Sequence, residues 1–141
     1  MATTRSATAR WEGSLVDGKG SVSLDTSAAG SFDVTWRARA ESAEGMTSPE
    51  ELLAAAHATC FSMALSHGLS QQGTPPTTVN TTADATFQPG TGITGIHLTV
   101  RADVPGLSAA DFEAAAADAK VNCPVSKALA GTTITLDAAL V

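Results

Sequence analysis

Hydrophobic and polar residues alternate in three segments near the start of the chain, and this pattern predicts three β-strands. The predicted strands lie near residues 7–12, 21–25 and 32–39. On the third strand, one face carries Phe32, Val34 and Trp36. The opposite, polar face carries Arg37 and Arg39, so two cations are expected side by side on this strand.

A long helix is predicted to follow a polar connection. Ser48 has the side chain of an N-cap, Pro49 fits the first helical position, and Glu51 completes a Ser-x-x-Glu capping box. The helix should end at about Leu69, before the Gly-Thr-Pro-Pro breaker. Six residues at helical spacing are expected to form its packed face: Leu53, Ala56, Cys60, Met63, Ala64 and His67. Cys60 should therefore face protein rather than solvent.

The rest of the chain adds strands and two shorter helices. We predict strands over 78–87 and 92–104, a helix over 108–121 capped by Ser108, a short helix from Cys123 to Gly131, and a strand over 132–140. The order β-β-β-α-β-β-α-α-β predicts an α+β fold with antiparallel sheets. With 141 residues, the chain is expected to form a single domain over 1–141.

Composition excludes several classes of function. The net charge is −6 and the eight Lys and Arg residues are scattered, so we expect no nucleic-acid binding. The sequence shows no apolar signal-peptide block at its start and no run of eighteen apolar residues, which predicts a cytoplasmic protein with no membrane association. Alanine-rich helices bury little area per residue, so part of the core is expected to come from a second copy in a homodimer.

Cys60 and Cys123 are the only thiols in the chain. A reducing cytoplasm disfavours a permanent disulfide, which leaves catalytic, redox-sensing or simply buried cysteines. Cys123 precedes Pro124 at a predicted helix start, where unpaired N–H groups favour a thiolate, so helix position alone makes it the more acidic thiol. Cys60 lies in mid-helix, where burial raises the pKa, and it needs a cation such as Arg37 or Arg39.

Glu50 could hold such an arginine by a bidentate contact and take up a proton during turnover. Glu50 and Cys60 are ten residues apart, which is about 15 Å along a helix axis and roughly 80° around it. They cannot touch within one straight helix. Either a long arginine bridges them, or Glu50 comes from the antiparallel helix of a second subunit, and we favour the second arrangement.

Other interpretations of these residues remain open. A buried cysteine is often a small hydrophobic residue, and Glu50 also suits the first turn of a helix as a favourable charge. His57 and His67 lie on the same side of the helix as Cys60, which allows a Cys–His hydrolase or a metal site. We predict no metal, because a single thiolate is available locally and no carboxylate completes a tetrahedral set.

Two segments together resemble the osmotically inducible protein C and organic hydroperoxide resistance (OsmC/Ohr) family. They are SPEELLAAAHATCFSMAL at residues 48–65 and NCPVSK at residues 122–127. The predicted order of elements and the chain length also match this family. Two details are more similar to the OsmC branch than to the Ohr branch. They are His57 before Ala-Thr-Cys60 and the sequence Cys-Pro-Val-Ser-Lys from Cys123.

The resemblance implies an OsmC-like fold in which antiparallel sheets surround a long central helix carrying Cys60, within an intertwined homodimer. It implies a thiol-dependent peroxidase acting on organic hydroperoxides, less efficiently on hydrogen peroxide, in stress defence. Cys60 would form a sulfenic acid, and Cys123 would resolve it as a disulfide.

The resemblance also implies the remaining parts of the site. An external dithiol of lipoyl type would restore the thiols, without a bound cofactor. Glu50 matches the family's active-site glutamate, and Arg39 is our choice for its arginine, with Arg37 as the fallback. A relative that senses redox state or binds small ligands, without efficient turnover, is the alternative.

Overall fold

The computed structural model describes residues 1–141, which divide into two compact units, residues 1–52 and 53–141. Ten elements follow one another along the chain. They are β1 (Thr8–Glu12), β2 (Lys19–Ser23), β3 (Ser31–Val34), α1 (Trp36–Ala40), α2 (Pro49–Gln71), β4 (Thr78–Gln88), β5 (Gly92–Asp103), α3 (Ala109–Asn122), α4 (Pro124–Ala128) and β6 (Ile134–Leu140). The α+β class is confirmed, and the single domain stays a prediction.

The first unit contains an antiparallel sheet in the order β1-β2-β3. Trp11 of β1 lies opposite Gly20 of β2. A Cβ atom at Gly20 would stand 2.7 Å from the Trp11 ring and 2.5 Å from the carbonyl oxygen of Arg10. Contacts that short do not occur, so this crossing requires glycine.

The predicted third strand is wrong beyond Val34, because Trp36–Ala40 forms the short helix α1. Thr35 has extended backbone angles, and its Oγ1 accepts a hydrogen bond from the Ala38 N–H at 3.0 Å. This is N-cap geometry, which starts a helix in a segment whose alternation suggested a strand. Arg37 and Arg39 therefore do not share a face, since helical residues two positions apart point to different sides.

Helix α2 begins as predicted and ends two residues later than predicted, at Gln71. The Glu51 N–H donates to Ser48 Oγ at 3.1 Å, which confirms the N-cap. The predicted packed face is wrong by about one position. After the first turn, which contains the buried Glu50, the buried residues recur every fourth position and are His57, Phe61, Leu65 and Leu69.

The shift of the packed face follows from side-chain size. Phe61 and the two leucines bury far more apolar area than the cysteine and alanines next to them, so they decide which side of α2 turns to the core. Met63 is 68% exposed and His67 is exposed as well. Cys60 lies at the border of the buried face and is half-buried.

The second unit contains a sheet in the order β4-β5-β6. Strands β4 and β5 pair antiparallel, as expected for a hairpin. The prediction of wholly antiparallel sheets is wrong for the other pair, because β6 runs parallel to β5. The connection between them contains α3 and α4, and a crossover through helices returns the chain in the same direction.

The core of the second unit lies between the sheet and helices α2 and α3. Alternate residues of β5 point into it, namely Ile96, Leu98, Val100 and Ala102. The other buried members of the core are Phe61, Leu65 and Leu69 of α2, Phe112, Ala116 and Ala119 of α3, Val104, and Cys123. Cys123 is thus a member of the hydrophobic core.

By length and composition alone, α2 could cross a membrane, and 22% of its most apolar window is buried in the fold. The central helices of soluble proteins pass the same test. This single helix is weak evidence for a membrane span.

Candidate functional site

The two thiols belong to different parts of the second unit. Cys60 lies in α2, and Cys123 occupies the junction between α3 and α4. The Cys123 N–H donates to the Ala119 carbonyl at 2.9 Å, and the Cys123 carbonyl accepts from the Lys127 N–H at 3.0 Å. Cys123 therefore ends one helix and begins the next, which holds its side chain in place. The two side chains interact with each other, and neither forms a disulfide in this structure.

The environments of the two thiols shift their pKa values in opposite directions. Burial raises the pKa of Cys60, and its interaction with Cys123 raises it further against a smaller opposing effect of the Val125 N–H. Burial also acts to raise the pKa of Cys123, but this effect is outweighed and the pKa of Cys123 is lowered. Cys123 is therefore the more acidic thiol, in agreement with its predicted position before a helix.

The groups that lower the pKa of Cys123 lie in the first turn of α4. The Ser126 N–H contributes most, followed by the Cys60 thiol, the Ser126 hydroxyl and the Val125 N–H. None of these N–H groups makes a close capping bond to the sulfur. Their combined dipoles still favour the thiolate over the thiol.

Arg39 and Glu50 form a bidentate ion pair in the first unit. Arg39 Nε lies 3.1 and 3.2 Å from the two carboxylate oxygens of Glu50, and Arg39 Nη2 lies 2.8 Å from Oε1. The Glu50 side chain is 8% exposed and that of Arg39 is 31% exposed. The expectation that Glu50 holds an arginine by a bidentate contact is confirmed.

The alternative arginine has different partners. Arg37 pairs with Glu41 at 3.5 Å and with Glu44 at 3.0 Å, and all three side chains are exposed. Arg39 rather than Arg37 is therefore the arginine that Glu50 positions.

Next to this pair, the first unit contains an apolar cavity of about 400 Å³. Its walls include Trp11, Leu15, Trp36 and Leu52, and Arg39 is the only charged residue that lines it. An apolar cavity with one cation suits a ligand that has an alkyl or aryl body and one polar end.

His57 was expected from the sequence only as a partner of Cys60, and its contact with Ser126 was not predicted. His57 is fully buried, and its Nε2 lies 2.7 Å from Ser126 Oγ. Burial lowers the pKa of His57, so its ring is neutral at neutral pH. His57 lies three residues before Cys60, and Ser126 lies three residues after Cys123. If the two cysteines meet, helical spacing brings these neighbours together, and this signal was available in the sequence.

The other predicted candidates do not gather around the thiols in this way. His67 is exposed, and Glu51 accepts a hydrogen bond from Thr47 Oγ1 at 2.6 Å at the start of α2. No three His, Cys, Asp or Glu side chains lie close enough together to hold a metal ion.

The fold and the two interacting cysteines define an α+β protein with a dithiol, of which Cys123 is buried and Cys60 is half-buried. Its sequence matches the family described as OsmC-like protein over residues 41–137. It is 43% identical over 132 residues to Peroxiredoxin OsmC of Escherichia coli (strain K12), which covers 92% of this chain and 91% of that protein. The chain belongs to the OsmC-like protein family.

Solved structures agree with this placement. The organic hydroperoxide resistance protein OhrB of Bacillus subtilis superimposes with a TM-score of 0.70 at 26% identity, covering 99% of this chain and 98% of that one. An OsmC-like protein from Mycoplasma pneumoniae superimposes with a TM-score of 0.76 at 15% identity, covering 100% and 99% of the two chains. The second similarity is one of fold alone.

Proposed function

We propose that this protein is a peroxiredoxin-like hydroperoxide reductase that uses Cys60 and Cys123 to reduce organic hydroperoxides and, more weakly, hydrogen peroxide. The observation that carries the proposal is the dithiol formed by the half-buried Cys60 of α2 and the buried Cys123 of the α3–α4 junction, which interact as free thiols. The names of its relatives, a peroxiredoxin and an organic hydroperoxide resistance protein, support the same class of reaction.

In the first step, the Cys60 thiolate attacks the distal oxygen of the hydroperoxide. An S–O bond forms as the O–O bond breaks, the alkoxide leaves and takes up a proton to become an alcohol, and Cys60 becomes a sulfenic acid. In the second step, the Cys123 thiolate attacks the Cys60 sulfur. An S–S bond forms as the S–O bond breaks, and hydroxide leaves as water after gaining a proton. An external dithiol of lipoyl type then reduces the disulfide, without a bound cofactor.

Arg39 and Glu50 serve the first step. Because burial raises the pKa of Cys60, attack by this thiol requires a nearby cation. The Arg39 guanidinium supplies that charge, and Glu50 fixes its orientation through the bidentate contact. The pair comes from the second subunit of a homodimer, and the apolar walls beside Arg39 receive the organic group of the hydroperoxide. The enzyme works in the cytoplasm, where dithiol reductants are maintained.

The test follows the consumption of cumene hydroperoxide with dihydrolipoamide as reductant. Wild type should consume the peroxide, and Cys60→Ser should lose consumption altogether. In Cys123→Ser, one equivalent of peroxide should leave a sulfenic acid on Cys60 that dimedone traps, with no intramolecular disulfide.

Two outcomes would contradict the proposal. If wild type consumes no peroxide with any dithiol, the redox-sensor or ligand-binding alternative replaces turnover. If Cys60→Ser still consumes peroxide and dimedone labels Cys123, the more acidic thiol attacks first and the two roles are exchanged.

A further inference from the structure

His57 is a fully buried titratable residue for which the proposed reaction has no use. It projects from α2 one turn before Cys60, and its Nε2 is bonded to Ser126 Oγ at 2.7 Å. Ser126 is itself 5% exposed and lies in the first turn of α4, beside the fully buried Cys123. The Ser126 hydroxyl is thus hydrogen-bonded to the histidine, and it also lowers the pKa of Cys123, three residues before it at the start of the same helix.

The proton on the histidine decides what the serine can do. A hydroxyl has one proton to donate, while its oxygen can accept from another group. If His57 Nε2 carries a proton, it donates to Ser126 Oγ, and the serine proton is free to point at Cys123. If Nε2 is bare, it takes the serine proton, and Ser126 can only accept from Cys123.

The second ring nitrogen distinguishes these two tautomers. Nδ1 of His57 is buried and has no hydrogen-bond partner. Because a buried N–H without an acceptor is rarer in folded proteins than an under-satisfied acceptor, the bare nitrogen belongs at Nδ1 and the proton at Nε2. The lowered pKa of His57 keeps the ring neutral, so it has only this one proton. The Ser126 hydroxyl also lowers the pKa of Cys123, as a donor to sulfur should.

We propose that His57 is a positioning residue for Cys123: its Nε2–H donates to Ser126 Oγ and thereby directs the Ser126 hydroxyl proton at the Cys123 sulfur. This deepens the proposed function and rests on it, since it assigns a support to the thiolate that forms the disulfide. His57 exchanges no proton with the substrate, and no bond is made or broken at Ser126.

The test titrates Cys123 alone, in a Cys60→Ala background. Thiolate absorbs at 240 nm, and the chain contains no tyrosine to ionise in the same range. Ser126→Ala removes the donor to sulfur and should lower the ratio of thiolate to thiol at a fixed pH about tenfold, the size expected for one hydrogen bond to a charged group. His57→Met leaves the Ser126 hydroxyl in place but free to rotate to other acceptors, so it should lower the ratio by a smaller factor. Two conservative variants should retain most of the wild-type ratio of thiolate to thiol. In His57→Gln the side-chain amide can donate from a similar position, and in Ser126→Thr the hydroxyl is kept.

Ser62→Ala is the matched control. It removes a part-buried hydroxyl bond of 2.7 Å to Thr81, also made by α2, and should leave the Cys123 titration unchanged. The double variant His57→Met/Ser126→Ala should fall no further than Ser126→Ala alone, because His57 acts on Cys123 only through the Ser126 hydroxyl.

An unchanged titration in His57→Met and Ser126→Ala would overturn the proposal and leave His57 as a packing residue that affects only the free energy of unfolding. If His57→Met does not fold, as judged by circular dichroism, an unchanged titration in Ser126→Ala alone still overturns the proposal, and His57→Gln still tests the role of the histidine. Peroxide consumption by the wild-type protein tests the proposed function separately, because the titration involves no peroxide.

Discussion

In the ion pair between Arg39 and Glu50, the carboxylate is buried and the guanidinium is partly exposed to solvent. The Glu50 side chain is 8% exposed, whereas that of Arg39 is 31% exposed. Replacing Arg39 by Met retains most of the apolar stem and removes all three hydrogen bonds to the carboxylate. Glu50→Gln retains the shape of the acceptor and removes its charge. Arg39→Met leaves the buried carboxylate without its cation, whereas Glu50→Gln leaves the arginine with a neutral acceptor in place of the carboxylate.

The structure sets the expected magnitudes. A buried charge deprived of its partner costs about 3–5 kcal/mol, and we expect Arg39→Met near 3 kcal/mol because the partly exposed site admits some water. In Glu50→Gln, an amide oxygen still accepts from Arg39, and the arginine is hydrated. That substitution should cost about 1 kcal/mol, including the lost acidic charge in the first turn of α2.

Urea denaturation of the reduced protein measures these differences. The double variant Arg39→Met/Glu50→Gln should be more stable than Arg39→Met alone, because the second substitution removes the stranded charge. Arg37→Met is the matched control, since the ion pairs of Arg37 are exposed and should contribute less than about 1 kcal/mol. Equal losses for Arg39→Met and Glu50→Gln, or strictly additive losses in the double variant, would refute the reasoning from burial.

Two further predictions concern stability. Thr35→Ala should lower the free energy of unfolding in urea by about 1 kcal/mol, because it removes the N-cap bond from the Ala38 N–H. Thr35→Ser should retain most of that stability, and equal losses in both variants would contradict the capping role. Burial holds the pKa of His57 in the folded protein below its unfolded value of 6.5, so the unfolded state binds more protons below that pH. The free energy of unfolding should therefore fall on acidification through pH 6.5, by at most about 1.4 kcal/mol per pH unit from this residue. Denaturation series at several pH values, compared between wild type and His57→Gln, isolate this contribution, and identical pH dependence in both would exclude it.

The parts of the fold that sequence predicted correctly depend on local chemistry. The start of α2 follows from Ser48, Pro49 and Glu51, whose capping interactions involve only neighbours in sequence. Helix α1 was missed because it is five residues long, and over so short a segment the alternation of Trp36–Ala40 fits a strand as well as a helix. The direction of β6 was missed because it depends on the path of α3 and α4, which no local pattern records.

In the candidate site, too, the features that depend on contacts between distant segments could not be predicted from local sequence. The pairing of Cys60 with Cys123 came from the family resemblance, because burial and contact between distant segments leave no periodic signal. Arg39 and Arg37 could not be separated while both were placed on one strand face, and the helix α1 is what separates them. His57 and Ser126 are 69 residues apart, so their bond was visible only as a consequence of the cysteine pairing.

The opposite pKa shifts of the two thiols define what Arg39 must do in the proposed reaction. Their interaction lowers the pKa of Cys123 and raises that of Cys60, so the first proton lost from the pair leaves its negative charge on Cys123. A Cys60 thiol beside a Cys123 thiolate is the wrong arrangement for first attack by Cys60. A cation beside Cys60 would favour the opposite arrangement, with the thiolate on Cys60 and the thiol on Cys123. Moving one negative charge between adjacent sulfurs requires less stabilisation than creating a second thiolate next to the first. In the proposed second step, Cys60 as a sulfenic acid would no longer compete for that charge, and the Ser126 and Val125 groups that lower the pKa of Cys123 would keep its sulfur a thiolate for attack on Cys60.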